Sequence, residues 1–318
     1  MDPDFDRERL APEEMVTCPK CGRSSASDRL NCLYCGTALE LTEEQKMTAR
    51  PVLRKIELWE PGWNVIATSA GPDAASNSKD LLRLGSEDAE ALFETDLPVP
   101  VVRLSTEEEA SFVVQRLGAL GIGSVAVADD ELDPGNAPRR LRGLEFRESS
   151  LRPLIFNDPG PDDAEFSPEL IVEGFLNRKR LESTEKRSRR SETILDSSET
   201  GEDETVIDIY GPEDGRGFRI RPDGFDFSCL GTRKAFTAAE NMKLLVDELR
   251  SRFPDAVWSG SYRRSRRALG IVWPQTETTS SEGVERRSFR GYAKKKVAVT
   301  DNEDQFTRFS RMIRTLCR

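Results

Sequence analysis

The chain has 318 residues, of which 33% are charged and 36% hydrophobic, with 57 acidic side chains against 47 basic ones and a net charge of -10. It contains no histidine, which excludes Ser-His-Asp and Cys-His nucleophilic sites, H-E-x-x-H hydrolysis and catalytic metals ligated by imidazole, because each needs that ring as base or ligand. At roughly 100–200 residues per domain the length allows two or three domains, and the charge is uneven: -3 over residues 1–60, -15 over 61–260 and +8 over 261–318.

The acidic opening MDPDFDRERL has neither the basic nor the apolar region of a secretory signal. The longest mostly apolar stretch, over 119–128, is about half of the roughly 20 residues that a membrane span needs. The expectation is a cytoplasmic chain whose cysteines stay reduced.

Four of the six cysteines lie in VTCPKCGRSSASDRLNCLYCGTALE, as Cys18-x-x-Cys21 and Cys32-x-x-Cys35, each pair followed by glycine. Two intervening residues let a tight turn aim both thiolates at one ion, the glycine permits a left-handed backbone, and the second pair completes a tetrahedral four-sulfur shell. The ten-residue gap leaves room for a minimal hairpin between the two knuckles. Zinc is the expected ion, with iron in a rubredoxin-like site the next choice and a dithiol switch the third. A closed four-thiolate shell has no open position for substrate, so the ion is expected to be structural and to supply the folding free energy that a segment this short cannot bury. The segment resembles the short zinc ribbons at the ends of many bacterial proteins, and the chain as a whole is similar to bacterial proteins that carry one, sharing only the ribbon at motif level.

Farther along, strands are predicted over 63–67 and 99–104. Ser105 with Glu108 then forms a capping box for a helix in which Ala110, Val113, Val114, Leu117 and Leu120 share a face, and a strand follows over 124–128. With further strands over 141–146 and 151–156 this makes an α+β sandwich. The pattern VPVVRLSTEEEASFVVQRLGALGIGSVAV is similar to the ferredoxin-like domains of small bacterial proteins proposed to act in signal transduction. The polar stretches 72–80 and 157–168 read as linkers bracketing this domain.

The last third predicts strands over 170–176, 205–210, 217–221 and 225–229, then a helix over 238–253. Residues 183–205, basic and then acidic, read as a long hairpin arm or a disordered loop. A strand over 294–299 precedes a final helix that Thr300 and Glu303 would cap, with Phe306, Phe309, Met312, Ile313 and Leu316 on one face. The fold expected is therefore α+β and multi-domain: an N-terminal tail and zinc ribbon over 1–45, an α+β domain, ferredoxin-like by resemblance, over 46–158, and an α+β domain with a basic tail over 159–318.

Arg263, Arg264, Arg266, Arg267, Arg286, Arg287, Arg290, Lys294, Lys295 and Lys296, interleaved with Tyr262, Trp273, Phe289 and Tyr292, form a mixture that can hold phosphates and stack bases. The same charges can instead lie against the acidic body of their own chain. The pairs Asp129 with Asp130 and Asp223 with Asp226 are candidate divalent-cation ligands without diagnostic spacing. Cys229 and Cys317 lack an activating base and read as inert thiols. No phosphate loop or dinucleotide fingerprint occurs. The composite expectation is a non-catalytic binding or scaffolding protein with unknown protein partners, no membrane insertion and structural Zn2+. The alternatives are nucleic-acid binding through 262–296 and a metal-dependent enzyme with carboxylate ligands.

Overall fold

A computed structural model describes residues 15–27, 29–42, 45, 56–57, 59–132, 137–156, 165–187, 192–212, 217–288 and 291–317; within these, the side chains of 185–187, 192–195, 282–288 and 291–294 are not described. The chain divides into two compact units, Met1–Asp129 and Asp130–Arg318.

The first unit opens with β1 (Met15–Thr17) and β2 (Ser24–Ala26), paired antiparallel from Met15↔Ala26 to Thr17↔Ser24. Then come β3 (Trp63–Ser69), α1 (Ala74–Leu82), α2 (Ser86–Phe93), β4 (Val99–Leu104), α3 (Glu107–Ala119) and β5 (Gly123–Ala128). The sheet order is β4-β3-β5, with β3 antiparallel to both neighbours, so β4, α3 and β5 form a split βαβ unit around β3. Three strands with this connectivity do not by themselves establish the ferredoxin-like fold.

Ala110, Val113 and Leu117 of α3 are buried as the helical spacing predicts, while Leu120 ends the helix exposed. The cap is Thr106 and not Ser105. Thr106 takes the extended backbone of an N-cap and accepts from the Glu109 amide at 3.2 Å, whereas the Ser105 hydroxyl donates to the Glu109 carboxylate at 2.9 Å. Overlapping S-x-x-E and T-x-x-E patterns read alike in sequence; only the backbone angle chooses between them. Asp129, one of the candidate acidic pairs, is spent on structure. Buried Arg103 holds it through Nε at 3.0 and 3.2 Å and through Nη2, while Asn64 donates to it at 2.9 Å. The Arg103 Nη1 also donates to the Glu57 carbonyl at 3.0 Å, so one guanidinium ties the approach to β3 to the end of β5.

In the second unit, β6 (Arg139–Phe146) and β7 (Leu151–Ile155) pair antiparallel. Their expected place in the middle domain is corrected: β6 lies parallel to β10 (Phe218–Ile220) in the large sheet. The stretch 157–168, taken as a linker, runs within this unit, where Leu151 and Phe166 on either side of 157–164 bridge each other. The large sheet also holds β8 (Leu170–Arg187), β9 (Glu192–Tyr210), β11 (Val257–Ser259), β12 (Thr276–Ser288) and β13 (Gly291–Asp301). Its order is β12-β13-β8-β9-β10-β6-β7, with β11 parallel to the start of β8. Residues 183–205 thus take the hairpin-arm reading, with 188–191 outside the described residues.

The expected strand over 225–229 is instead a 3-10 turn, Phe227–Arg233. Asp226 accepts from the Ser228 amide at 3.0 Å and its hydroxyl at 2.9 Å, a local bond that competes with a ladder, and Gly231 at φ 56° kinks the turn.

Helix α4 (Ala238–Arg252) covers one face of the sheet, burying Met242, Leu245 and Leu249 against Ile171, Ile207, Ile209 and Ile220. The other face, set by the two-residue alternation of strands, takes α6 (Glu303–Leu316), preceded in the chain by α5 (Tyr262–Val272). There the Phe306 ring occupies the space a Cβ on Gly174 of β8 would need, and the Tyr210 hydroxyl meets Ser310 at 2.8 Å. Beneath α6, Arg219 forms a two-pronged pair with Asp208 at 2.7 and 2.8 Å while stacking 5.0 Å from Phe306; the two are 2% and 0% exposed.

The final helix is entered through Asn302, correcting the expected Thr300 cap, because Thr300 belongs to β13 opposite Lys179. Asn302 turns inward. It accepts from the Asn177 amide at 2.6 Å and donates to the Phe175 carbonyl at 2.9 Å and the Tyr262 hydroxyl at 2.7 Å. Tyr262 donates on to Gln305 at 3.0 Å, and Gln305 to the Trp273 carbonyl at 2.6 Å.

Removing one partner of the buried Arg219–Asp208 pair strands a charge, so Asp208→Ala is expected to lower unfolding stability by about 3–5 kcal/mol. The double change Asp208→Leu with Arg219→Met restores most of that loss. Urea denaturation followed by circular dichroism measures both, and a single variant as stable as the parent chain would contradict the burial of the pair.

Candidate metal centre

The knuckles are two copies of one backbone device. In the first, the Gly22 amide donates to the Cys18 carbonyl at 3.0 Å and the Cys18 amide to the Arg23 carbonyl at 2.9 Å. In the second, Gly36 donates to Cys32 at 2.9 Å and Cys32 to Thr37 at 2.8 Å. Gly22 and Gly36 sit at φ 68° and 72°, the left-handed region where a side chain is strained, which is the reason each C-x-x-C is followed by glycine. The β1–β2 hairpin encloses the first knuckle and does not lie between the two, correcting the expected placement. The second knuckle is closed by the Asn31↔Ala38 bridge and by the Leu39 amide on the Leu30 carbonyl at 2.8 Å.

All four sulfur atoms lie within 4.8 Å of one another, with Cys18 to Cys35 at 3.5 Å and Cys21 to Cys32 at 3.6 Å. A tetrahedral shell with metal–sulfur bonds of about 2.3 Å places its sulfurs about 3.8 Å apart, so the cluster is already near the size an ion requires. The four cysteines can hold a metal ion. Cys18 and Cys32 are buried and pack with Leu39, a core of three residues that cannot hold a fold unaided. The Ser25 hydroxyl, 3.6 Å from the Cys32 sulfur, is the main reason that thiol is lowered from 9.0 to about 6, and the Thr37 hydroxyl lowers Cys35. Hydroxyl donors to sulfur favour the thiolate, the form that binds metal. These donors are legible only in the structure, because nothing in the C-x-x-C spacing names Ser25 or Thr37. The ribbon also meets its own unit, where Asn31 donates to Glu109 of α3 at 3.2 Å.

The basic segment is divided among different structures. Arg263, Arg264, Arg266 and Arg267 lie on α5, a helix the sequence reading did not predict, whose buried side is Tyr262, Ser265, Ala268 and Leu269. Arg263, Arg264 and Arg267 are exposed; Arg263 stacks 4.7 Å from the Phe175 ring, and Arg266 donates to Asn177 at 3.4 Å. Lys295 and Lys296 are on β13, where Lys295 pairs with Glu182 at 2.9 Å. The side chains of Arg286, Arg287 and Lys294, together with Phe289 and Arg290, fall outside the described residues. Trp273 is buried and offers no stacking face.

Of the acidic candidates, Asp223 is exposed and pairs with Arg140 at 3.1 Å, and Asp226 caps its turn. Among the described residues the four cysteines are the one group of three or more such side chains close enough to share an ion. Burial pushes the Cys229 thiol up to about 11 and raises Cys317 as well, the opposite of an activated nucleophile. A cleft of about 650 Å³ between α4 and the β8–β9 ladder combines Phe175 and Met242 with Glu173, Asp203, Asp247 and Arg263.

Because Cys32 is held below an ordinary thiol, its thiolate favours the folded ribbon fully above pH 9.0, and this advantage is lost as the pH falls through about 6. Ser25→Ala removes the donor and is expected to move the pH of half-maximal metal loading upward. A Co2+ titration read by thiolate charge-transfer absorbance would show it, and an unchanged midpoint would remove Ser25 from the account. Cys32→Ser is expected to abolish tight binding and unfold the ribbon while the unfolding transition of the second unit stays in place, since folding and metal binding are one event in so small a core.

The chain matches no protein-family model, no curated protein and no solved structure, so its chemistry is read from its own residues.

Proposed function

We propose that the chain is a non-catalytic, zinc-holding binding or scaffolding protein of the cytoplasm that mediates protein–protein interaction within a complex. The observation that carries this reading is the sulfur cluster: four thiols at near-tetrahedral spacing, with the Ser25 hydroxyl donating to Cys32 and the Cys35 thiol bonded to the Thr37 hydroxyl, make a closed platform. Four soft sulfur ligands select zinc over harder ions, and such a shell leaves no place for a substrate. The arm formed by β12, β13, β8 and β9 adds to it, since residues 277–281 of β12 and 196–203 of β9 are exposed on both faces. That is surface in excess of what enclosing a core requires. No helix of the described residues is long and apolar enough to cross a membrane.

A specific observation favours nucleic acid as a second reading. Arg263, Arg264 and Arg267 project from one short helix, and the buried Tyr262 that anchors it keeps them in fixed relative positions. Against it, Lys295 is engaged with Glu182, which matches the expectation that part of the basic tail neutralises the acidic body.

Native mass spectrometry of the protein purified without chelator from its own host tests both. One zinc ion with a retained protein subunit is the expected result; a retained nucleic acid selects the second reading, and a second divalent ion points to the carboxylate-metal enzyme. Fluorescence anisotropy with labelled RNA and DNA gives an independent measure. Under the scaffolding reading binding is absent at low salt, whereas a log-log salt slope that falls when Arg263, Arg264 and Arg267 become alanine would overturn it.

A further inference from the structure

Sheet edges present unpaired backbone N–H and C=O groups to any chain that can lie alongside, and proteins block them with charge, proline, bulges or short length. The edges of the large sheet differ in how they are blocked. β7 carries Pro153, which has no N–H to give, and Phe166 bridges Leu151 from outside. β11 has three residues. β9 pairs with β10 only from Ile207 to Ile209, and its free length below carries Asp196, Glu199, Glu202, Asp203 and Glu204 with no basic residue between 192 and 204. A strand added there would meet a wall of carboxylates.

β12 has none of these devices over its first half. Thr276-Glu277-Thr278-Thr279-Ser280-Ser281 holds one charge and no proline, and its pairing with β13 is regular from Thr276↔Asp301 to Ser281↔Lys296 before a bulge breaks it between Ser281 and Val284. Among the described residues no strand lies on its outer side, and Glu277 to Ser281 are exposed on both faces. Threonine is a favoured strand residue, and a straight edge of six residues is the length of an ordinary strand.

We propose that this edge receives a second copy of the same chain, β12 against β12, antiparallel about a two-fold axis, so that the two large sheets become one. The segment is self-complementary in that arrangement. With the axis at Thr279, Thr279 faces its own copy, Thr278 faces Ser280 and Glu277 faces Ser281, so each opposed pair shares a face and is hydroxyl with hydroxyl or hydroxyl with carboxylate. The two Glu277 carboxylates are offset by four residues, about 13 Å along the strand, and are screened at physiological salt. The interface is isologous and uses the same edge on both copies, while the carboxylates of β9 bar growth at the other side of the arm; the assembly closes at two. Five paired residues are a small contact, so the dimer is expected to dissociate in roughly the micromolar range. This inference is independent of what the ribbon does.

Sedimentation velocity of the full chain across a concentration range bracketing the micromolar is the test. A monomer–dimer equilibrium is expected, weakened at least tenfold by Thr278→Lys with Thr279→Lys, which brings four ammonium groups together at the axis, and unchanged by Ser198→Lys on β9. Because these positions are exposed, the lysine variant should keep the circular dichroism and denaturation midpoint of the parent chain. Hydrogen exchange of the unsubstituted chain supplies a second readout, in which amides within Thr276–Ser281 gain protection as concentration rises. A monomer at all concentrations, a dimer indifferent to the lysines, or exchange in this segment independent of concentration would each overturn the proposal.

Discussion

The ladder between β8 and β9 is the constraint on which the second unit depends. It runs unbroken in direction from Leu170↔Tyr210 to Arg187↔Glu192, far longer than the core it crosses. Alternation along its first third fixes two faces at once: Ile171, Ile207 and Ile209 toward α4, and Gly174, Asp208 and Tyr210 toward α6. A slip of one residue would exchange them, putting the Asp208 carboxylate into the α4 core and Ile207 beneath Phe306. The Arg219–Asp208 pair makes that slip costly in both directions, since a buried carboxylate without its guanidinium is among the more expensive states a core can hold. Past the helices the described side chains of the ladder, 177–184 and 196–204, are mostly charged or hydroxyl-bearing.

Legibility followed the range over which each signal acts. The cysteine pairs, β3, β4, β5, α3 and α4 were readable because their determinants are local: a knuckle needs four residues and a glycine, and a helix face repeats every three or four. Sheet partnership is not local, which is why β6 and β7 were assigned to the wrong neighbourhood on the strength of an acidic, proline-rich stretch that resembles a linker. Helix α5 was missed for another reason. Its buried side consists of Tyr262, Ser265, Ala268 and Leu269, small and polar enough that four arginines dominate the pattern. The described half of β12, residues 276–281, carries no alternation because neither of its faces is buried. At the metal centre the ligands were legible and the hydroxyls beside them were not, since Ser25 reaches Cys32 from β2 across the seven residues that lead to the second knuckle, a path the C-x-x-C spacing does not give.

Charge has a spatial logic that net values conceal. The positive balance of the last 58 residues is threaded through the acidic body: β13 lies against β8, with Lys295 on Glu182, and the next strand over, β9, has acidic residues and no basic one between 192 and 204. Cross-strand pairs of opposite sign, such as Lys179 with Glu199 at 3.2 Å, contribute little each when exposed, but together they disfavour every register that would oppose like charges.

The chain of bonds through Asn302, Tyr262 and Gln305 makes α5, α6 and the root of the arm a single mechanical piece. Asn302 holds backbone atoms at Phe175 and Asn177, where β8 leaves the core, and through Tyr262 it also holds the first turn of the arginine helix. A buried polar group left without its partner is costly, so these three side chains hold α5, the entry to α6 and the root of β8 in one arrangement, and loosening any one of them loosens the others.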